Sequence, residues 1–290
     1  MRSPAFVVRY LVPKRGLRPE QCEDAVVVIP EREPADEIEE QVVAVLCDGA
    51  SESLLARDWA GLLADRLARR QPGGVPAAAG IRQTAAAVVS AADAWPEWLD
   101  GYVKRREAAG RPLAWYERPG LERGAYATLL AVALDPPVHR TRVGDELMTL
   151  ADAVHSSVSP GWRWHASALG DTCLFHVRDE RLLRAFPIED SSAFGTNPAL
   201  AASRNVDESV LARHIAVAEG WCESGDQLYL ATDALAAWFL RAVEVGASPW
   251  TVLRDFAAAD QEAFEAFVAE QRATGNLRDD DVAFVHIDIG

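Results

Sequence analysis

The apolar run Val42-Val43-Ala44-Val45-Leu46-Cys47 ends at Asp48-Gly49, with no polar residue inside it. A short continuous run of this kind predicts a strand buried on both faces. Residues 5–11 and 25–29, rich in β-branched side chains, predict two more strands. The acidic, proline-punctuated stretch between them and residue 42 reads as a solvated connection. Over residues 53–70, Leu55, Trp59, Leu62, Leu63 and Leu67 share one helical face, while Arg57, Asp65, Arg66 and Arg69 fall off it. That spacing predicts an amphipathic helix. After the breaker Gln71-Pro72-Gly73-Gly74, the alanine-rich residues 77–94 predict a second helix.

From Gly124 the pattern turns to β, with strands expected over 125–134, 162–168, 172–177, 182–186, 214–218, 227–232 and 282–289. Helices are expected over 234–245 and from Ser248-Pro249, where serine as cap and proline at the first position mark a start. Two stretches break the rhythm. Residues 135–160 read as a long polar insertion. Residues 95–123 hold Trp95, Trp98, Tyr102, Trp115 and Tyr116 beside Lys104-Arg105-Arg106. That segment reads either as a cover over one end of the core or as a flap facing a substrate. Strands and helices come in runs rather than in strict alternation, which favours an α+β layered fold with largely antiparallel sheets. One domain spanning 1–290 is expected.

Composition narrows the function classes. The chain has 290 residues and a formal net charge of −15, which argues against a general nucleic-acid binder. No stretch approaches the roughly 20 apolar residues of a membrane span. The first residues lack the apolar core of a signal peptide, so a cytoplasmic location is expected. Cys22, Cys47, Cys173 and Cys222 are scattered without a CxxC pair, which argues against a zinc knot or a disulfide framework. The six histidines show no i,i+4 or HxH pairing.

What remains is a set of carboxylates at strand ends: Glu23-Asp24 before residues 25–29, Asp48 after 42–47, Asp233 after 227–232, and Asp280-Asp281 before 282–285. Like charges brought together raise each other's pKa, and divalent cations are the simplest way to keep them all ionised. Oxygen-only donors suit Mg²⁺ and Mn²⁺ rather than thiolate-held zinc. Taken singly, Asp24 reads as a strand-start residue and Asp233 as a helix cap. Asp48-Gly49-Ala50-Ser51-Glu52-Ser53 superficially suggests an adhesion-type metal site, but Ala50 breaks its serine spacing.

The order of the motifs is more specific than any one of them. Glu23-Asp24-Ala25, Asp48-Gly49, Gly124-Ala125-Tyr126-Ala127-Thr128, Leu169-Gly170-Asp171-Thr172, Ala231-Thr232-Asp233-Ala234-Leu235 and Asp280-Asp281-Val282-Ala283 follow one another along nearly the whole chain. In sequence and spacing they resemble the PPM-class, or type 2C, metal-dependent protein serine/threonine phosphatases, in a divergent bacterial form. The resemblance implies an α-β-β-α sandwich, two mainly antiparallel sheets flanked by helices, with a dinuclear Mn²⁺ or Mg²⁺ centre at one end. It implies Asp48 as the bridging ligand, Gly49 as a carbonyl ligand, Asp233 and Asp280 as ligands of the second metal, and Asp24 as a holder of metal-bound water. Glu23 and Asp281 take supporting roles, and Asp171 falls where a weaker third metal is held.

Four positions depart from the pattern, one of them Asp281, where the family's usual Asp-Asn is Asp280-Asp281. The family's phosphate-binding arginine falls on Pro19, leaving Arg18 as the neighbouring candidate; its acid histidine falls on Ala50; its usual Asp-Gly is Asp233-Ala234. The expected function is a metal-dependent phosphoserine/phosphothreonine phosphatase acting on a phosphoprotein, with a cognate serine/threonine kinase as a potential partner. Two rivals stand beside it: a regulatory or binding member of the same fold with weak turnover, and a phosphohydrolase of a small metabolite.

Overall fold

The computed structural model describes residues 3–69, 77–137, 161–195, 197–258 and 260–290. The insertion expected over 135–160 therefore falls almost entirely outside the described residues. Two five-stranded sheets form the centre, and every pairing in them is antiparallel. One sheet runs in the order β1 (Ala5–Val12), β12 (Val282–Ile289), β11 (Gln227–Ala231), β7 (Cys173–Arg178) and β8 (Arg181–Phe186). The other runs β10 (Ala216–Cys222), β6 (Trp162–Leu169), β5 (Leu129–Asp135), β3 (Val42–Cys47) and β2 (Ala25–Ile29). A two-residue pair, β4 (Tyr126–Ala127) with β9 (Ala201–Ala202), stands apart from them.

The continuous apolar run of β3 follows from its place in this stack. Val42, Ala44 and Leu46 face the core between the sheets, where they meet Leu130, Leu228, Leu230 and Val285. Val43, Val45 and Cys47 face the opposite way, toward Trp59, Leu63 and Leu67 of α1 (Ala56–Ala68) and Val88 and Trp95 of α2 (Ala77–Ala108). The outer face of the other sheet is covered by α5 (Asp233–Glu244), α6 (Pro249–Leu253) and α7 (Gln261–Ala273). There Phe239, Trp250 and Phe264 pack on Tyr10, Phe175, Tyr229 and Phe284. The layers are helix, sheet, sheet, helix.

Local differences from the sequence pattern have identifiable causes. The helix expected to end at residue 94 continues to Ala108, with Pro96 inside it. Trp95, Trp98 and Tyr102 recur at three- and four-residue spacing and stack face to face, with ring centroids 4.8 and 5.6 Å apart. This packing outweighs the hydrogen bond that the proline removes. The strand expected over 125–134 is divided at Thr128, whose N–H donates to the Asp48 carbonyl at 2.9 Å. The strand expected over 214–218 runs instead as Ala216–Cys222, because His214 closes α4 (Glu208–His214), a helix begun where Asp207 caps the backbone N–H groups of Ser209 and Val210. The helix begun at Ser248-Pro249 is short, and α7 starts afresh with Asp260 accepting from the Ala263 N–H. Among the described residues no helix is long and apolar enough to cross a membrane.

A candidate metal centre at one end of the sandwich

Strand register gathers the acidic motifs. Ala25 pairs with Cys47, which sets Asp24, just before β2, beside Asp48, just after β3. Cys173 pairs with Ala231, so Asp171 before β7 neighbours Asp233 after β11. Ala231 also pairs with Phe284, bringing Asp280 and Asp281 to the same edge. Carboxylates separated by more than 200 positions in the chain thus meet because antiparallel pairing brings the start of one strand and the finish of the next to the same end of the sheets.

Single ligand atoms of Asp48, Asp171 and Asp233 all lie within 4.8 Å of one another. Asp171 is buried, and its Oδ1 has no hydrogen-bond partner. A buried carboxylate oxygen left unpaired is costly unless something binds it. Two glycines build the approach. A Cβ on Gly49 would sit 2.7 Å from the Glu23 carbonyl oxygen and 2.9 Å from the Ala56 backbone, so only glycine lets the chain leave β3 there. Gly170, with φ +98°, makes the turn that presents Asp171, and a Cβ there would collide with Thr128.

The electrostatics are those of crowded, buried acids. Burial, then the Asp48 charge, pushes the Asp24 carboxyl well up, against a hydrogen bond from Thr232 that lowers it. Burial, then Asp233, Asp280 and Asp171, pushes Asp48 up in turn. Asp171 is raised to about 6 by burial and by Asp233. Asp233 is raised mainly by burial, with Arg278 acting the other way. The oxygen-only donors, mutual repulsion and an unpaired buried oxygen fit hard divalent cations.

The other residues singled out in the sequence have definite places. Glu23 Oε2 accepts from Ser51 Oγ at 2.6 Å and lies 3.4 Å from Lys14 Nζ. Asp281 is buried, and its two oxygens accept from the backbone N–H groups of Lys14 at 2.7 Å and Glu23 at 2.8 Å. It ties the loop after β1 to the segment carrying Asp24. Asp280 meets Lys14 Nζ and Arg278 Nη2, both at 3.1 Å. Arg18 is exposed and its donors turn to Gln21, at 3.2 and 3.4 Å. Ala234 is buried at the start of α5 without a positive φ, so the residue in place of glycine is unstrained.

Three residues were not singled out by the sequence pattern. Lys14 bridges Glu23 and Asp280, and Arg278 pairs with both Asp233 and Asp280. Thr232, fully buried, donates to Asp24 Oδ2 at 2.9 Å while accepting from the Ala283 N–H at 2.9 Å. It fixes Asp24 against the ends of β11 and β12. The cations had no spacing signal, since each lies in a loop. Beside the carboxylates, a cleft of about 300 Å³ runs from Asp171 past Pro187, Asn197 and Pro198 to His214. A larger cleft of about 470 Å³, along Arg9, Arg32 and Asp36, lies toward the other end of β2.

Against known proteins, no family model matches this sequence, and no curated protein matches it either. Solved structures do. PppA, described as a key regulatory component of T6SS in Pseudomonas aeruginosa, superposes with a TM-score of 0.51 at 14% identity, covering 100% of this chain and 99% of that one. A bacterial serine phosphatase superposes at 0.52 with 12% identity, covering 98% of this chain and 97% of that one. A variant form of a bacterial serine phosphatase gives 0.55 at 12% identity, covering 99% and 100%. The fold is that of the PPM-class phosphatases. At these identities the likeness is one of architecture, and the chemistry rests on the residues of this chain.

Proposed function

We propose that the protein is a metal-dependent phosphatase of phosphoserine and phosphothreonine in proteins, working with two Mn²⁺ or Mg²⁺ ions and a weaker third. The observation that carries this reading is the convergence of Asp48, Asp171 and Asp233, with a buried Asp171 oxygen left unpaired. Asp48, the Gly49 carbonyl, Asp233 and Asp280 would hold the two ions, with Asp24 in support beside them, and Asp171 would hold the third. Such a pair of ions, when bound, supplies Lewis acidity and neutralises phosphoryl oxygens.

The chain's own groups set the rest. Thr232 holds Asp24 in orientation, and Asp281 anchors the loop from which Glu23 and Lys14 reach the centre. Lys14 and Arg278 are the cations beside the carboxylates, so they, rather than Arg18, are the side chains placed to meet a phosphate. With alanine at position 50, no histidine follows Asp48-Gly49 to donate a proton. The cleft beside Asp171 offers a path for chain flanking the phosphorylated residue. The substrate would be a phosphoprotein, made by a serine/threonine kinase in the same cytoplasmic compartment; with a net charge of −15, nucleic acid is not the partner.

One observation favours a second reading. Asp233 and Asp280 are already paired with Arg278 and Lys14, which suits a regulatory module of this fold with little turnover. Hydrolysis of p-nitrophenyl phosphate and of a phosphothreonine peptide, with Mn²⁺ and with EDTA, separates them. Mn²⁺-dependent turnover of both supports the phosphatase. Mn²⁺ binding without turnover supports the module, and turnover of small phosphates alone supports a metabolite enzyme.

A further inference from the structure

The segment following α2 forms a basic, aromatic surface in an acidic protein. Residues 104–123 carry six Lys/Arg against three Glu, while the whole chain stands at −15. The cations conspicuous in the sequence are spent internally. Lys104 pairs with Asp100 at 2.6 Å, Arg105 lies over the Trp98 ring at 5.9 Å, and Arg106 grips Glu117 with two hydrogen bonds of 2.6 and 3.2 Å. Glu117 also accepts from the Ala114 N–H at 2.7 Å, so the turn ahead of α3 (Arg118–Arg123) is tied to the helix.

On that fixed turn Trp115 is 82% exposed and Tyr116 67% exposed, with their rings edge to face. Exposed large aromatics held on an ordered backbone are a costly arrangement for a surface without a partner. Arg111, Arg118 and Arg123 are exposed and make no ion pair among the described residues. The surface also adjoins the candidate centre. A cleft of about 220 Å³ is lined by Arg123 and Gly120 on one side and by Ala50, Ser53 and Tyr126 on the other. Ala50 lies two residues past Asp48, and its N–H is bonded to the Tyr126 carbonyl at 2.9 Å.

We propose that this surface docks an acidic segment flanking the phosphorylated residue of the substrate protein, a refinement that rests on the phosphatase reading. The charge argument selects the occupant: a short acidic peptide meets the unpaired arginines, whereas a long polyanion would also meet the negative remainder of the protein. The aromatic pair supplies apolar contact at low entropy cost, and the arginines select by charge.

The test uses the full chain and two fluorescent peptides that differ only in having aspartates or lysines around a threonine. Binding of the unphosphorylated forms is read by anisotropy. The acidic peptide should bind at least about tenfold tighter, and higher salt should weaken it. The W115A/Y116A and R118A/R123A variants should each lose about fivefold or more of that affinity and keep p-nitrophenyl phosphate hydrolysis within about twofold of the parent. With phosphorylated peptides, kcat/KM for the acidic one should fall in the same variants. Equal binding of the two peptides, unchanged preference in both variants, or tighter binding of a single-stranded oligonucleotide overturns the proposal. Failure of the parent protein to hydrolyse p-nitrophenyl phosphate would instead count against the phosphatase reading, because the binding measurement stands without turnover.

Discussion

Acidic side chains are buried at both ends of β11, a single one at its start and a cluster at its end, and their charge is met in different ways. Ahead of the strand, Asp226 is fully buried, but Arg178 pairs with both its oxygens at 2.7 Å, His176 Nε2 lies at 2.8 Å and the Glu223 N–H donates at 2.9 Å. Burial raises the Asp226 carboxyl, but the Arg178 hydrogen bonds and the other donors outweigh it and hold the carboxyl below its usual range. Cys222 Sγ completes a His-Cys-Asp group whose atoms meet within 4.8 Å, as they do in the carboxylate centre. At the far end, Asp24, Asp48, Asp171 and Asp233 are all pushed upward by burial first; neighbouring carboxylates add to this in the first three, while in Asp233 burial prevails over Arg278. Proximity of ligand types is therefore not what marks a metal site. The first group has spent its acceptors on the protein's own donors; the second retains an unpaired buried oxygen and uncompensated charge.

This contrast breaks most sharply at Asp48. Asp48→Asn should remove tight Mn²⁺ binding, read by calorimetric titration, and lower hydrolysis of p-nitrophenyl phosphate by at least about 10²–10³-fold. Asp226→Asn should leave Mn²⁺ stoichiometry and turnover unchanged. Full Mn²⁺ stoichiometry and turnover in Asp48→Asn would collapse the distinction between the two clusters.

The Asp226 change should be felt in stability instead. Asparagine presents one acceptor where Arg178, His176 and the Glu223 N–H converge on two, leaving a charged partner without its counter-charge. A loss of about 3 kcal/mol is expected in urea unfolding, less than for a fully interior pair because Arg178 is partly solvated. A change below about 1 kcal/mol would show that water replaces the carboxylate easily.

The adjacent pair Asp280 and Asp281 carries the same contrast within two residues. Asp281 is saturated by two backbone donors, like Asp226, so Asp281→Asn should cost about 1–2 kcal/mol and keep Mn²⁺ binding. Asp280 accepts a single backbone N–H, that of Asp281 at 3.0 Å, and otherwise meets the side-chain cations Lys14 and Arg278, so Asp280→Asn should weaken Mn²⁺ binding with less effect on unfolding than Asp281→Asn. The opposite assignment of effects would exchange their roles.

How far the sequence reached follows from the range of the forces involved. The double-faced run of β3 and the amphipathic stripe of α1 are local, periodic signals, and the layered fold was legible from them and from the runs of strands. Asp24, Asp48, Asp171, Asp233 and Asp280 were legible as candidates because each stands beside a strand, where chain order and motif spacing survive. The extension of α2 through Pro96 was hidden, since the stacking of Trp95, Trp98 and Tyr102 is visible only once the helix exists. The start of α7 was hidden by its polar composition, with only Phe264 and Val268 buried among its apolar residues. Lys14 and Arg278 lie in loops that meet only through the pairing of β1 with β12, so their approach to the acids is a tertiary fact. Thr232 was read merely as part of a motif, and its bond to Asp24 spans 208 positions.

The smallest effect is also the one whose sign is least intuitive. The Asp171 carboxyl is raised to about 6 in the folded chain from an ordinary 3.8, by burial and the Asp233 charge. A raised folded value means that the native state takes up the proton first, so its stability rises as pH falls through 6 toward 3.8. In EDTA, going from pH 7 to pH 5 should therefore gain about 1 kcal/mol from this group alone. Asp171→Asn, already neutral, should lack that gain and should be no less stable than the parent at pH 7. At the other end of β11 the sign reverses, because the lowered Asp226 carboxyl contributes stability that is present above 3.8 and lost as pH falls through its folded value. Urea unfolding of the parent and Asp171→Asn at pH 7 and 5, both without metal, reads the first slope directly, and the Asp226 slope is read in the same way against Asp226→Asn below about pH 4. A parent that loses stability between pH 7 and 5 by the same amount as Asp171→Asn would mean that the Asp171 oxygen is compensated in solution, and the contrast between the two clusters would shrink to one of solvation.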